Sequence, residues 1–118
     1  MTEDREVGYR PWGMYEVLHT DDHCKVKKIT VKPRQKLSLQ SHKHRRETWI
    51  ILFGVALFQR GDDQISKAVA GEHIVIEKEE KHRIENTGEE DLVFIEVQTG
   101  ESFDESDIVR YEDSYGRV

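Results

Sequence analysis

The sequence predicts an all-β domain, an antiparallel sandwich or barrel, on three observations. Apolar and polar residues alternate with period two from residue 25 onward. The alternating runs are short and rich in Val and Ile, and turn residues separate them. Between them lies no stretch with the three-to-four spacing of a helical stripe.

The first run is KVKKITV, with Val26, Ile29 and Val31. TWIILF, from Thr48 to Phe53, ends at Gly54, and VALFQR resumes at once. HIVIEK, HRIEN and LVFIEVQT follow. The breaks are GDD at 61–63, AG at 70–71 and NTGEED at 86–91, all residues that favour turns. Only the C-terminal SDIVRYEDSYG is a candidate for a short helix. A length of 118 residues suits one domain with one core. The expected division is a core over 25–99, an N-terminal arm over 1–24 and a C-terminal segment over 100–118. Pro11 and Pro33 mark no boundary.

Composition excludes several classes. Eighteen Lys and Arg against 24 Asp and Glu give a net charge of −6, which argues against a general nucleic-acid binder. No apolar stretch approaches the ~18 residues that cross a bilayer, so no membrane partner is expected. MTEDREVGYR at the start has no apolar segment of a secretion signal. Cys24 is the only cysteine, so no internal disulfide forms and a reducing cytoplasm is the expected home. Without a motif around it, Cys24 reads as a small structural side chain.

Charge is unevenly placed. Residues 32–46, KPRQKLSLQSHKHRR, carry six Lys or Arg and no acid, plus two histidines. Alone this reads as a solvated face. Chemistry enters with QSHKHRRE, which holds Gln40, His42, His44 and Glu47, and with KHRIEN, which holds His82 and Asn86. Imidazole nitrogen and carboxylate oxygen are standard ligands of divalent metals, and an amide oxygen is a weaker one. Gln40 and His42 are two apart, so on a strand both face one way. Glu47 can return from the next strand and His82 from a later one, giving four candidate metal ligands.

This spacing resembles the two signatures of the cupin superfamily, small double-stranded β-helix barrels of jelly-roll type. The first signature, a glycine, two spaced ligands, a glutamate and a glycine, runs here as Arg34, Gln40, His42, Glu47 and Gly54. The second runs as Gly71, Glu77, Glu79, His82 and Asn86. Arg34 replaces the first glycine, and Glu77 and Glu79 replace a proline and a glycine. The ligand positions are intact.

RPWGMYEVL, VKPRQKLSLQSHKHRRETWIILFGVA and EVQTGESFDESDIVRYEDSYGR further resemble type II mannose-6-phosphate isomerases. In most of that family the cupin follows a nucleotidyltransferase domain, for which 118 residues leave no room, so guanylyltransferase activity is not expected. The resemblance implies isomerisation of mannose 6-phosphate to fructose 6-phosphate through an enediolate. A divalent ion on Gln40, His42, Glu47 and His82 would stabilise the growing negative charge as a Lewis acid. Zinc is the first choice, over cobalt, manganese, nickel and iron.

His44 and Arg45 are the catalytic candidates. His44 lies two residues from a ligand and is the candidate general base, or, sharing the face of His42, an outer or alternate ligand. Arg10, Lys32, Arg110 and Arg117 are candidates for the substrate phosphate, because a guanidinium fork binds phosphate oxygens in pairs. Ion pairing with neighbours such as Asp107, Glu112 and Asp113 competes with that role for Arg110. Trp12 and Trp49 could stack on a sugar, although Trp49 opens an apolar strand and fits the core. Tyr111 and Tyr115 belong to a segment that either closes the barrel mouth or reaches a neighbour. By analogy with the family, edge strands would pair in a homodimer. Protonating His42 and His82 would release the metal in acid. Two other readings compete: a non-catalytic metal- or sugar-binding cupin, and an iron oxygenase, which Gln40 disfavours because such sites place histidine there.

Overall fold

Eleven strands form where the alternation and the turn residues allow them, in a computed structural model that describes residues 5–117. In order they are β1 (Val7–Arg10), β2 (Gly13–Thr20), β3 (Cys24–Val31), β4 (Leu39–Ser41), β5 (Arg45–Phe53), β6 (Val55–Arg60), β7 (Gln64–Val69), β8 (His73–Ile76), β9 (His82–Asn86), β10 (Leu92–Gly100) and β11 (Val109–Glu112). All pairings are antiparallel. One sheet runs β1-β2-β3-β10-β5-β8 and the other β11-β4-β9-β6-β7. The described residues contain no helix, and the expected all-β cupin barrel is what forms. The C-terminal segment, a helix candidate by sequence, instead makes β11, which pairs with β4. Residues 1–4 of the N-terminal arm and residue 118 of the C-terminal segment lie outside the described residues; the rest of the arm supplies β1 and β2, which extend the first sheet beside β3.

The strands place two kinds of side chain inside the barrel. β3 turns Lys27, Ile29 and Val31 inward, β5 turns Arg45, Glu47, Trp49 and Ile51, and β10 turns Leu92, Phe94, Glu96 and Gln98. Register aligns them in two storeys. Val31 opposes Leu92, Ile29 opposes Phe94, and Phe94 opposes Ile51, which makes the apolar storey. Lys27 opposes Glu96, and Gln98 opposes Glu47, which makes the polar one. Trp49 is the boundary, edge-on to Phe58 at 5.6 Å and tilted against Phe94 at 5.0 Å. At 1% exposed it is core.

Tight corners hand the chain between sheets. Gly54, at φ 93°, joins β5 to β6, and a Cβ there would meet the Asp91 carbonyl oxygen at 2.7 Å. Arg34 and Glu79, which stand where the cupin pattern has glycine, hold the same left-handed region at φ 65° and 64°. The turns survive these replacements at a cost in backbone strain. Asn86 closes the second signature structurally. Its Nδ2 donates to the carbonyls of Val31 and Glu90 at 2.9 and 2.8 Å, and its Oδ1 accepts from the Gly88 amide at 2.9 Å. It thereby ties β9 of one sheet to β3 of the other.

Candidate functional site

His42 follows β4, Glu47 sits early in β5 and His82 begins β9, so three elements deliver three donors to the polar storey. β4 and β9 are in register at Gln40 and His82. The His42 Nε2 lies 3.3 Å from Glu47 Oε2, and the His82 Nε2 lies 3.9 Å from Glu47 Oε1. One donor atom from each of the three falls within 4.8 Å of the others.

Backbone carbonyls fix both imidazoles. His42 Nδ1 donates to the Asp107 carbonyl at 2.7 Å, and His82 Nδ1 donates to the Glu80 carbonyl at 2.9 Å. A carbonyl only accepts, so each Nδ1 carries the proton and each Nε2 presents a lone pair. Burial holds both rings down at about 4, and for His42 the charge of Arg45 adds to it. Both are neutral near pH 7, the form that binds metal.

Arg45 is the cation already at this point. Its Nε donates to Glu47 Oε2 at 2.8 Å, and its Nη2 donates to His42 Nε2 at 3.3 Å. Burial opposes its charge, and the carboxylates of Glu47 and Glu96 outweigh that opposition. Its Nη1 is buried without a hydrogen-bond partner among the described residues. The cluster is therefore built around a positive charge. Two neutral imidazoles and a carboxylate fit a divalent cation. A metal bound among them would share or displace the contacts of Arg45. The Gln40 Nε2 donates to Ser38 Oγ at 3.1 Å and more weakly to its carbonyl, which leaves the amide oxygen without a bond among the described residues.

Behind the donors, Trp49 Nε1 donates to both Glu47 Oε1 at 3.0 Å and Glu96 Oε1 at 3.1 Å. Burial, with the nearby charge of Glu47, pushes the Glu96 carboxyl up to about 7. Lys27 pairs with Glu105 and lies 4.3 Å over the Tyr15 ring.

A cleft opens beside this cluster; Arg45, bonded to Glu47 and His42, lines it, and so does Gln40, whose strand is in register with His82. Arg10, Arg110, Arg117 and Lys27 line it as well. Arg10 donates to the Tyr15 hydroxyl at 3.3 Å, and Arg117 is gripped by Asp113 at 2.8 and 2.9 Å. The Arg110 Nε is buried without a partner among the described residues. Lys32 lines a neighbouring depression with Tyr9, Met14 and Asp91, and Arg10 lines both that depression and this cleft. His44 is exposed; its amide donates to Asp107 Oδ2 at 2.9 Å, and its side chain lines neither depression. Sequence reasoning passed over Lys27, Glu96 and Glu105. For Lys27 and Glu96 a signal existed: both share the phase of the apolar residues Ile29 and Phe94, so each is a charge aimed at the interior.

Residues 1–113 match the family described as mannose-6-phosphate isomerase C-terminal. The xanthan biosynthesis protein XanB of Xanthomonas campestris is 45% identical over 110 residues, which cover 93% of this chain and 23% of that protein. The mannose-1-phosphate guanylyltransferase of Escherichia coli is 44% identical over 114 residues, 97% of this chain and 23% of that protein. A Klebsiella pneumoniae protein with a double-stranded β-helix domain superposes with a TM-score of 0.74 at 20% identity, over 83% of each chain, and so shares the fold.

These matches correct the expectation of a freestanding enzyme for mannose 6-phosphate to fructose 6-phosphate conversion. The chain spans less than a quarter of the curated relatives it matches, and those relatives are named for guanylyl transfer and for xanthan synthesis. What the matches support is a cupin domain that corresponds to one part of larger sugar-related proteins.

Proposed function

The chain belongs to the mannose-6-phosphate isomerase C-terminal family, and from that premise we propose that it works in enzymatic sugar metabolism by holding a divalent cation and a phosphorylated sugar side by side. One observation carries the reading: Arg45, hydrogen-bonded to the carboxylate and one imidazole of the cluster, also lines a cleft with three further arginines.

The roles follow from chemistry. His42, Glu47 and His82 hold the metal, with the Gln40 oxygen as a fourth donor and zinc as the first candidate. When bound, the ion supplies Lewis acidity toward sugar oxygens. Arg110 and Arg10 take the phosphate through paired N–H donors. Asp113 presets the Arg117 guanidinium, so less side-chain freedom is lost on binding. Arg45 keeps the Glu47 carboxylate aligned. Lys32 and His44 stand outside the proposed phosphate cleft. A homodimer, carried over from the cupin resemblance, completes the proposal and is read by sedimentation at micromolar concentration.

The test is calorimetric titration of metal-stripped and zinc-reloaded protein with mannose 6-phosphate, mannose 1-phosphate and free mannose. The phosphorylated sugars should bind only the reloaded protein, and free mannose should bind far more weakly. Glu47→Gln should lower zinc affinity by at least the ~10–100-fold that even an outer partner of a metal site contributes. Arg110→Ala should weaken the sugar phosphate and leave zinc binding alone. Equal binding of phosphorylated sugar with and without metal would overturn the reading.

A further inference from the structure

A second set of donor side chains sits outside the barrel, on the turn that joins β2 to β3. The turn reads HTDDHC, His19 to Cys24. A register shift between Val17 and His19 in the β2–β3 pairing sets His19 opposite Val26. Residues directly opposite share a face, and Cys24 is two before Val26, so the bulge brings His19 and Cys24 to one side as diagonal neighbours. Continued without the shift, the pairing would put His19 opposite Lys25, on the other face.

Asp21 fills the space between them. Its backbone amide donates to the Cys24 carbonyl at 3.0 Å, which closes the turn. Its Oδ1 accepts from the amides of His23 at 2.7 Å and Cys24 at 2.9 Å. That pins the carboxylate and leaves Oδ2 for His19, whose Nε2 lies 2.8 Å away. One donor atom each from His19, Asp21 and Cys24 lies within 4.8 Å of the others. No residue of the barrel cluster takes part.

We propose that this turn is a second metal site, binding a borderline-soft divalent cation of the zinc type through His19, Asp21 and Cys24, with solvent completing the coordination. Imidazole, carboxylate and thiolate together suit zinc, and the sulfur selects against magnesium and calcium. On binding, the metal–sulfur bond forms as the thiol proton leaves to solvent, and the ionised Asp21 offsets the cation's charge. The carboxylate is fixed before the metal arrives, so the ordering cost falls mainly on two side chains. Cys24, which reads from sequence as a small structural side chain, becomes the most selective ligand of the chain.

The sole cysteine makes the site spectroscopically separable. The barrel cluster contains no sulfur, so a near-ultraviolet sulfur-to-cobalt charge-transfer band can come only from Cys24. Cobalt(II) is titrated into metal-stripped, reduced protein, with the thiol counted first. The band should appear with a stoichiometry of one cobalt per chain and vanish in Cys24→Ser. His19→Ala, an exposed change that leaves the barrel untouched, should weaken cobalt binding at this band at least ~10-fold. No band from fully reduced protein overturns the proposal. So does a band indifferent to His19→Ala, or one that saturates at half an equivalent, which would mean two chains sharing a metal. Glu47→Gln should leave the band unchanged, which keeps this outcome independent of the barrel reading.

Discussion

On one side of Trp49 the barrel interior holds Ile29, Val31, Ile51, Leu92 and Phe94; on the other the same three strands present Lys27, Arg45, Glu47, Glu96 and Gln98. Both storeys are buried to a similar degree, yet they answer to different physics. The apolar storey gains free energy from every methylene removed from water and tolerates no gap. The polar storey pays desolvation and recovers it only by pairing, through Arg45 on Glu47, Trp49 on both glutamates and Lys27 on Glu105. The difference shows how a barrel of this size is divided: one storey supplies stability, and the other is free to hold charge where a ligand can use it.

Truncation in the apolar storey should give the largest effect. Phe94→Ala removes a fully buried ring and is expected to cost ~3–5 kcal/mol in denaturant unfolding. A loss under ~1 kcal/mol would erase the distinction between the storeys.

Of the two storeys, acid should act on the polar one. His42 and His82 are held at about 4 from an ordinary 6.5, so their contribution is complete above pH 6.5 and is lost as pH falls through 4. Glu96, raised to about 7 from 4.5, works in the opposite sense: its contribution is complete below pH 4.5 and is lost as pH rises through 7. Two groups outweigh one. Metal-stripped protein should therefore lose on the order of 3 kcal/mol between pH 6.5 and 4. Glu96→Gln removes the opposing group and should steepen that loss, as read by urea unfolding across the pH range. A slope unchanged by Glu96→Gln would show that Glu96 ionises normally inside the barrel.

The smallest effect belongs to a corner beside the polar storey. Glu79→Gly relieves a left-handed φ of 64° and should raise stability by about 1 kcal/mol in thermal unfolding. The Glu79 amide donates to the His42 carbonyl at 2.7 Å, and metal affinity should stay the same if the turn keeps its shape.

Much of this division was legible in the chain. VALFQR and HRIEN coincide with β6 and β9, because each has sheet neighbours on both sides and its alternation reports burial directly. β4 was not legible, since three residues carry no period and its existence depends on β9 and β11. β7 escaped because it is an edge strand with most of its side chains in solvent. The clustering of His42, Glu47 and His82 was legible from their spacing, whereas Arg10, Arg110 and Arg117, which line one cleft, were expected only from the family resemblance. Lys32 was not separable from them, because only the register of β2 and β3 shows that it lies beside a different depression. The charged interior was missed because a lysine or glutamate within an alternating strand is ordinarily assigned to solvent, whatever its phase.

The bond from His42 Nδ1 to the Asp107 carbonyl also carries a timing consequence. Its two ends lie 65 residues apart in the chain. At ~5–20 residues per second, a ribosome needs several seconds to make that carbonyl after making the histidine. Until then His42 has neither a fixed tautomer nor β11 beside β4. The imidazole made first is thus oriented last, after Leu92 and Phe94 have already been supplied to the apolar storey.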